Sequence, residues 1–124
     1  ENVITFENMF NKCKKLKNIN LSNFNTKNII CFDGMFYECE SLETIYLKSS
    51  LKNIGDSAFY GCDSLASVKT GNGVTSIGDS AFYGCESLAE VYYEGTVEEW
   101  DSVDKSGLSG IVTSVHCANG DVAV

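Results

Sequence analysis

The chain has 124 residues, 44% of them hydrophobic and 11% aromatic, which is enough for one domain with a real core and too apolar for a disordered chain. Lys and Arg number 9 against 17 Asp and Glu, a formal charge of -8 that repels phosphate backbones and anionic membrane surfaces, so nucleic acid is not expected as a partner. No apolar run in the sequence approaches the ~20 residues of a membrane span, so no membrane insertion is expected either.

The predicted elements recur from the N-terminus onward. Phe10, Phe36, Phe59 and Phe82 stand 26, 23 and 23 residues apart. Three residues after each comes a cysteine (Cys13, Cys39, Cys62, Cys85), three further on a leucine (Leu16, Leu42, Leu65, Leu88), and three beyond that a β-branched residue (Ile19, Ile45, Val68, Val91). The last two copies are close to identical over Ile54 to Leu65 and Ile77 to Leu88. Periodicity of this length is the signature of a repeat architecture.

Within each unit the period changes. From Phe to Leu the apolar residues fall every third position, which predicts a short helix or 3₁₀ turn. From Ile19 to Leu21 and from Ile45 to Leu47 they alternate, which predicts a strand with one buried side. A unit of one helical turn and one strand cannot bury its apolar edge alone, so copies stack into a solenoid and each column becomes a ladder along the coil axis. The expected fold is an α/β repeat in a right-handed coil, with short parallel strands on the concave face and short helices or 3₁₀ turns on the convex face.

Four repeats are expected over residues 1–93, at about 1–26, 27–51, 52–74 and 75–93, followed by a cap over 94–124, the whole being one domain. The acids Glu7, Asp33, Asp56 and Asp79 precede the turns and are expected to cap them at the N-terminus. A cation site is the rival account of this acidic column, but calcium sites draw several oxygens from one irregular loop, a pattern not found here. Of the six cysteines, four share one repeat column and follow packing geometry, so most thiols are expected to be free.

After Tyr93 the period fails. Thr96-Val97-Glu98-Glu99-Trp100 fits a capping box, with Val97, Trp100 and Val103 on one face of a short helix that covers the open end of the core. Ile111 to Cys117 predicts a strand, and Asn119-Gly120 a hairpin turn with Val122-Ala123-Val124 returning. The start carries no comparable cap, so the piece is expected to be the C-terminal end of a longer array.

The run Val74-Thr75-Ser76-Ile77-Gly78-Asp79-Ser80-Ala81-Phe82 with Cys85 and Leu88 closely resembles the Treponema-type leucine-rich repeat of BspA-like surface proteins. The first half resembles a sister repeat, from Leu21-Ser22-Asn23-Phe24-Asn25-Thr26-Lys27-Asn28-Ile29 into Gly34-Met35-Phe36, Cys39 and Leu42. The resemblance covers residues 1 to about 93. It implies a curved repeat array outside a bacterium or parasitic protist, often an adhesin or host-binding protein, with no catalytic residues. The family often has a proline after the strand; Lys48-Ser49-Ser50 and Gly71-Asn72-Gly73 occupy that place here.

Chemistry finds little support in the rest of the sequence. His116 is the one histidine, so no multi-histidine metal site can form, and its neighbour Cys117 points to the opposite side of a strand. There is no Cys-x-x-Cys and no strand, glycine-rich turn and helix to cradle phosphate. No cofactor, no metal and no enzyme activity are expected. The alternation instead turns Asn18, Thr44, Ser67 and Glu90 outward, and likewise Asn20, Tyr46, Lys69 and Tyr92, which makes these the candidate ligand-binding residues. Tyr46 and Tyr92 are the strongest anchors, since tyrosine combines contact area with a hydrogen bond.

The function these features point to is a monomeric, secreted or cell-surface module that binds a protein or glycan of a host or neighbouring cell. The alternative is a structural spacer or cap with no ligand of its own.

Overall fold

The computed structural model describes residues 4–5, 8–19, 29–31, 33–47, 51–108, 112 and 114–123. Its elements in chain order are the strands β1 (Ile4–Thr5), β2 (Ile29–Cys31), β3 (Thr44–Leu47), β4 (Asn53–Ile54), β5 (Ser67–Thr70), β6 (Ser76–Ile77) and β7 (Glu90–Tyr93), the helix α1 (Val97–Asp101), and the strands β8 (Ser114–Cys117) and β9 (Gly120–Ala123).

The stack is held by a five-stranded sheet of order β3-β5-β7-β8-β9. Strands β3, β5, β7 and β8 are parallel, with Thr44, Ser67, Glu90 and Ser114 in one register row and Tyr46, Lys69, Tyr92 and His116 in another. Between these rows lie Ile45, Val68, Val91 and Val115, all buried. Alternation of buried and outward residues follows from the two-residue period of the strand. Strand β9 pairs antiparallel with β8 and is the last strand on this side of the sheet. In the first repeat Ile19 is not in a strand, and Asn20 and Leu21 lie outside the described residues.

A second row of two- and three-residue strands runs on the other side of each coil, where β1 pairs with β2 and β4 with β6. These pieces sit five residues before each phenylalanine, counted from Thr5, Cys31, Ile54 and Ile77. They are too short to show alternation, and the sequence reading passed over them.

The segments that carry the Phe, Cys and Leu columns are chains of turns rather than the expected short helices or 3₁₀ turns. Within one coil, Cys62 N–H donates to Phe59 O at 3.2 Å and Leu65 N–H to Cys62 O at 3.2 Å, the three-residue reach that made the spacing look helical. Left-handed residues break any helix at two fixed places: Asn8, Gly34, Ser57 and Ser80 two residues before the phenylalanine, and Lys12, Glu38, Gly61 and Gly84 two after it, all with φ between 55° and 78°. Non-glycine residues pay roughly 1 kcal/mol for this conformation.

Hydrogen bonds to the next coil offset that strain. Ser57, Phe59 and Gly61 donate to the carbonyls of Asp79, Ala81 and Tyr83 at 2.9, 2.8 and 2.8 Å. Gly34, Phe36 and Glu38 do the same to Asp56, Ala58 and Tyr60, and Asn8, Phe10 and Lys12 to Asp33, Met35 and Tyr37. Each left-handed pair therefore aims three alternate amides at the coil that follows.

The acids serve this joint and not their own turn, which corrects the capping expectation. Asp33 Oδ1 accepts from Asp56 N–H at 2.8 Å, and Asp56 Oδ1 from Asp79 N–H at 2.9 Å. Glu7 lies outside the described residues. Gly78 fits because a Cβ there would stand 2.4 Å from Asp56 Oδ1 and 2.7 Å from Asp56 N.

Inside the coils the phenylalanines form a ladder with centroids 5.5, 5.3 and 5.2 Å apart and rings within 11° of parallel. Each cysteine thiol then bonds back one coil, Cys39 to Phe10 O, Cys62 to Phe36 O and Cys85 to Phe59 O, each at 3.0 Å. Cysteine suits the column because it is small and apolar yet carries one weak donor. Cys13, Cys39, Cys62, Cys85 and Cys117 are free thiols. Burial raises the Cys39 thiol to about 11, and the neighbouring Cys85 thiol together with burial raises that of Cys62.

The cap begins at Thr96, whose side chain accepts from Glu99 N–H at 3.1 Å while Glu99 Oε1 accepts from Thr96 N–H at 2.9 Å. This capping box starts α1 and presents Trp100 to the core, 5.2 Å from Tyr93. The chain then adds Asp104 to the second strand row: Ile77 N–H donates to Asp104 O at 2.8 Å and Asp104 N–H to Thr75 O at 2.9 Å. No helix among the described residues is long and apolar enough to cross a membrane.

Candidate functional site on the sheet face

The outward side chains of the five-stranded sheet form a surface on which aromatic and charged groups converge in register. Thr44 and Asn18 meet at its first edge, with Thr44 Oγ1 donating to Asn18 Oδ1 at 3.1 Å. Tyr46, 44% exposed, donates its hydroxyl to the Glu94 carboxylate at 3.2 Å. Lys69 lies over the Tyr46 ring at 5.3 Å and reaches Glu94 at 3.8 Å. Burial and the Glu94 charge raise the Tyr46 phenol above its ordinary range. Ser67 is half-buried between Thr44 and Glu90.

At the other end Tyr92, 41% exposed, donates to Glu90 Oε1 at 2.7 Å. Its ring stacks on His116 with centroids 4.7 Å apart. His116 Nε2 is 2.9 Å from Glu90 Oε1 and Nδ1 is 3.0 Å from Asp121 Oδ1. The Asp121 carboxylate, and then that of Glu90, raise the imidazole pKa. The hydrogen bonds from Tyr92 and His116 lower that of Glu90.

Of the sequence-predicted residues, the structure brings Thr44, Tyr46, Ser67, Lys69, Glu90 and Tyr92 onto one face, with Asn18 beside Thr44. Asn20 lies outside the described residues. The reading missed His116, Asp121, Glu94 and Ser114. A signal for two of them existed: Ser114-Val115-His116 repeats the outward, inward, outward order of Glu90-Val91-Tyr92, and β8 pairs with β7 in that register.

Ser114, His116 and Asp121 have the composition of a nucleophilic triad, but the geometry works against one. Ser114 Oγ is 3.5 Å from Nε2, while Glu90 takes the same nitrogen at 2.9 Å. An imidazolium donating from both nitrogens has no lone pair to accept a serine proton. Among the described residues no group of three or more His, Cys, Asp or Glu side chains is placed to hold a metal ion. A hollow of about 270 Å³ lined by Trp100, Lys105, Leu108 and Val122 lies in the cap, apart from the residues of this face.

Stacked parallel coils closed by a helix and a hairpin, with their varied side chains displayed on one sheet, define a leucine-rich-repeat solenoid. Residues 2–103 match the BspA type leucine rich repeat region in 6 copies, and the chain belongs to that family. It is similar to a leucine rich cell surface protein from Faecalibacterium prausnitzii A2-165, with 29% sequence identity and a TM-score of 0.70 over 85% of this chain. The match covers 26% of that longer protein. Among curated proteins none matches.

Proposed function

We propose that this chain is a non-enzymatic module of a secreted or cell-surface protein that binds a protein or glycan partner through the outer face of its five-stranded sheet. Support comes from the row Tyr46, Lys69, Tyr92 and His116, which puts two exposed phenols, an imidazole and an ammonium along one line of a rigid sheet. Aromatic side chains held by neighbours lose little entropy on binding. The cell-surface relative agrees with an extracellular setting.

A second reading, a spacer that binds nothing, draws on the internal pairing of Tyr46, Lys69, Glu90, Tyr92 and His116, whose polar atoms already have partners. A strand spacing of about 4.8 Å and strand lengths of about 15 Å give the five strands only ~360 Å², less than the ~800 Å² each partner buries in a standard interface. Affinity is therefore weak.

The test is retention on immobilised host matrix proteins, comparing wild type with Tyr46→Ala and Tyr92→Ala. The proposal expects roughly tenfold or greater loss in at least one variant. Equal retention of all three chains, or none by wild type, leaves the spacer reading.

A further inference from the structure

The turn segments repeat one hydrogen-bond pattern at every joint, and at the last coil the pattern has no recipient among the described residues. In the first three coils the amides two residues before the phenylalanine, at it, and two after it donate to carbonyls of the next coil. In the fourth coil the corresponding donors are Ser80, Phe82 and Gly84, and none has an acceptor among the described residues. The fourth coil nonetheless keeps the conformation that aims them, with φ of 56° at Ser80 and 78° at Gly84.

The described part of the cap extends the other two sides of this coil, and no described residue extends this one. Strand β8 continues the main sheet past β7, and Asp104 continues the second strand row past β6. Nothing described pairs with the 79–84 backbone in the same way. Two side-chain ladders also stop here. Asp33 and Asp56 each accept the next coil's amide, whereas Asp79 is exposed with no such donor among the described residues. Tyr37, Tyr60 and Tyr83 stack at 4.8 and 5.3 Å, and Tyr83, last in line, is 61% exposed.

We propose that the open edge of Asp79 to Gly84 is a docking site for an extended segment of a second protein, laid parallel as one further rung and carrying an aromatic side chain. The joints within the molecule specify its chemistry. Three carbonyls at alternate residues accept from Ser80, Phe82 and Gly84, an amide near its start donates to the Asp79 carboxylate, and a flat ring covers Tyr83. Strand addition of this kind takes affinity from main-chain bonds and selectivity from the side chain that alternates with them. This edge is separate from the sheet face, and its occupancy does not depend on the function proposed above.

The probe is a capped synthetic peptide with the sequence of residues 76–88, since the joint between the third and fourth coils shows that such a segment presents the right carbonyls. It is titrated into the full chain and followed by amide NMR shifts and hydrogen exchange. The expected result is saturable shifts centred on Ser80, Phe82 and Gly84, with exchange there slowed about tenfold or more near saturation. Tyr83→Ala weakens the peptide roughly threefold to tenfold, the scale of one aromatic pair, and Tyr92→Ala leaves it unchanged. Absence of shifts at the three amides up to millimolar peptide, or a site that maps elsewhere, overturns the proposal. Protection that grows with protein concentration in the absence of peptide gives the edge to a second copy of this chain and overturns it equally.

Discussion

Replacing Phe59 and Phe82 by alanine, one at a time, tests whether the aromatic ladder holds the coils together. Phe59 is fully buried and stacks on both sides, at 5.3 Å from Phe36 and 5.2 Å from Phe82. Phe82 is nearly as buried but has one stacking partner among the described residues, Phe59. Truncating a buried phenylalanine costs about 3–5 kcal/mol, and an aromatic pair adds about 0.5–1.5 kcal/mol beyond its area. Phe59→Ala should therefore lose about 4.5 kcal/mol and Phe82→Ala about 3.5. A chain of 124 residues has roughly 6 to 19 kcal/mol in total, so both losses are large yet leave a folded population. With a urea dependence of about 1.5 kcal/mol per molar, the midpoints fall by about 3 M and about 2 M. Urea melts followed by tyrosine fluorescence and by far-ultraviolet circular dichroism read both numbers. Equal losses, or a larger loss at Phe82, would refute the claim that stacking between coils is a separate source of stability.

The sheet face and the thiols lead to two further outcomes. The folded pKa of His116 lies above its unfolded value because Asp121 and Glu90 favour the imidazolium. Its contribution to stability is therefore complete below about pH 6.5 and is lost as pH rises through the folded value; His116→Gln should flatten the dependence of the melting temperature on pH over that window, and a proton NMR titration that finds an unshifted imidazole would contradict this. In the native chain Cys39 and Cys62 should resist alkylation at neutral pH, being buried with raised pKa. After denaturation without reductant close to six thiols should titrate, and a count near zero would show disulfides where the ladder has donors.

Legibility followed the length of the signal. The Phe, Cys and Leu columns and the buried phase of β3, β5 and β7 could be read because each recurs in several copies at a fixed interval. The turn geometry could not, since a three-residue spacing serves a 3₁₀ helix and a chain of turns alike. What separates them is the left-handed backbone at Ser57 and Ser80, positions where glycine would have given the clue and serine does not. The aspartates were recognised as acceptors but assigned to their own turn, because a sequence shows which group can accept and not which neighbouring coil supplies the donor. His116 escaped for a related reason: it lies beyond the last repeat, and only the pairing of β8 with β7 brings it against Tyr92 and Glu90.

The irregular first spacing has a consequence for how such a chain can change in length. From the second strand row to the phenylalanine is five residues in every coil, and Asn18 and Thr44 both follow their phenylalanine by eight. From Asn18 to Cys31 is 13 residues, while from Thr44 to Ile54 and from Ser67 to Ile77 it is 10. The three extra residues thus fall in sequence between Asn18 and Cys31. An insertion elsewhere would slide phenylalanine, cysteine and aspartate out of phase with their partners one coil away. Gene duplication in whole coils is consequently a route by which this architecture can acquire new length without refolding.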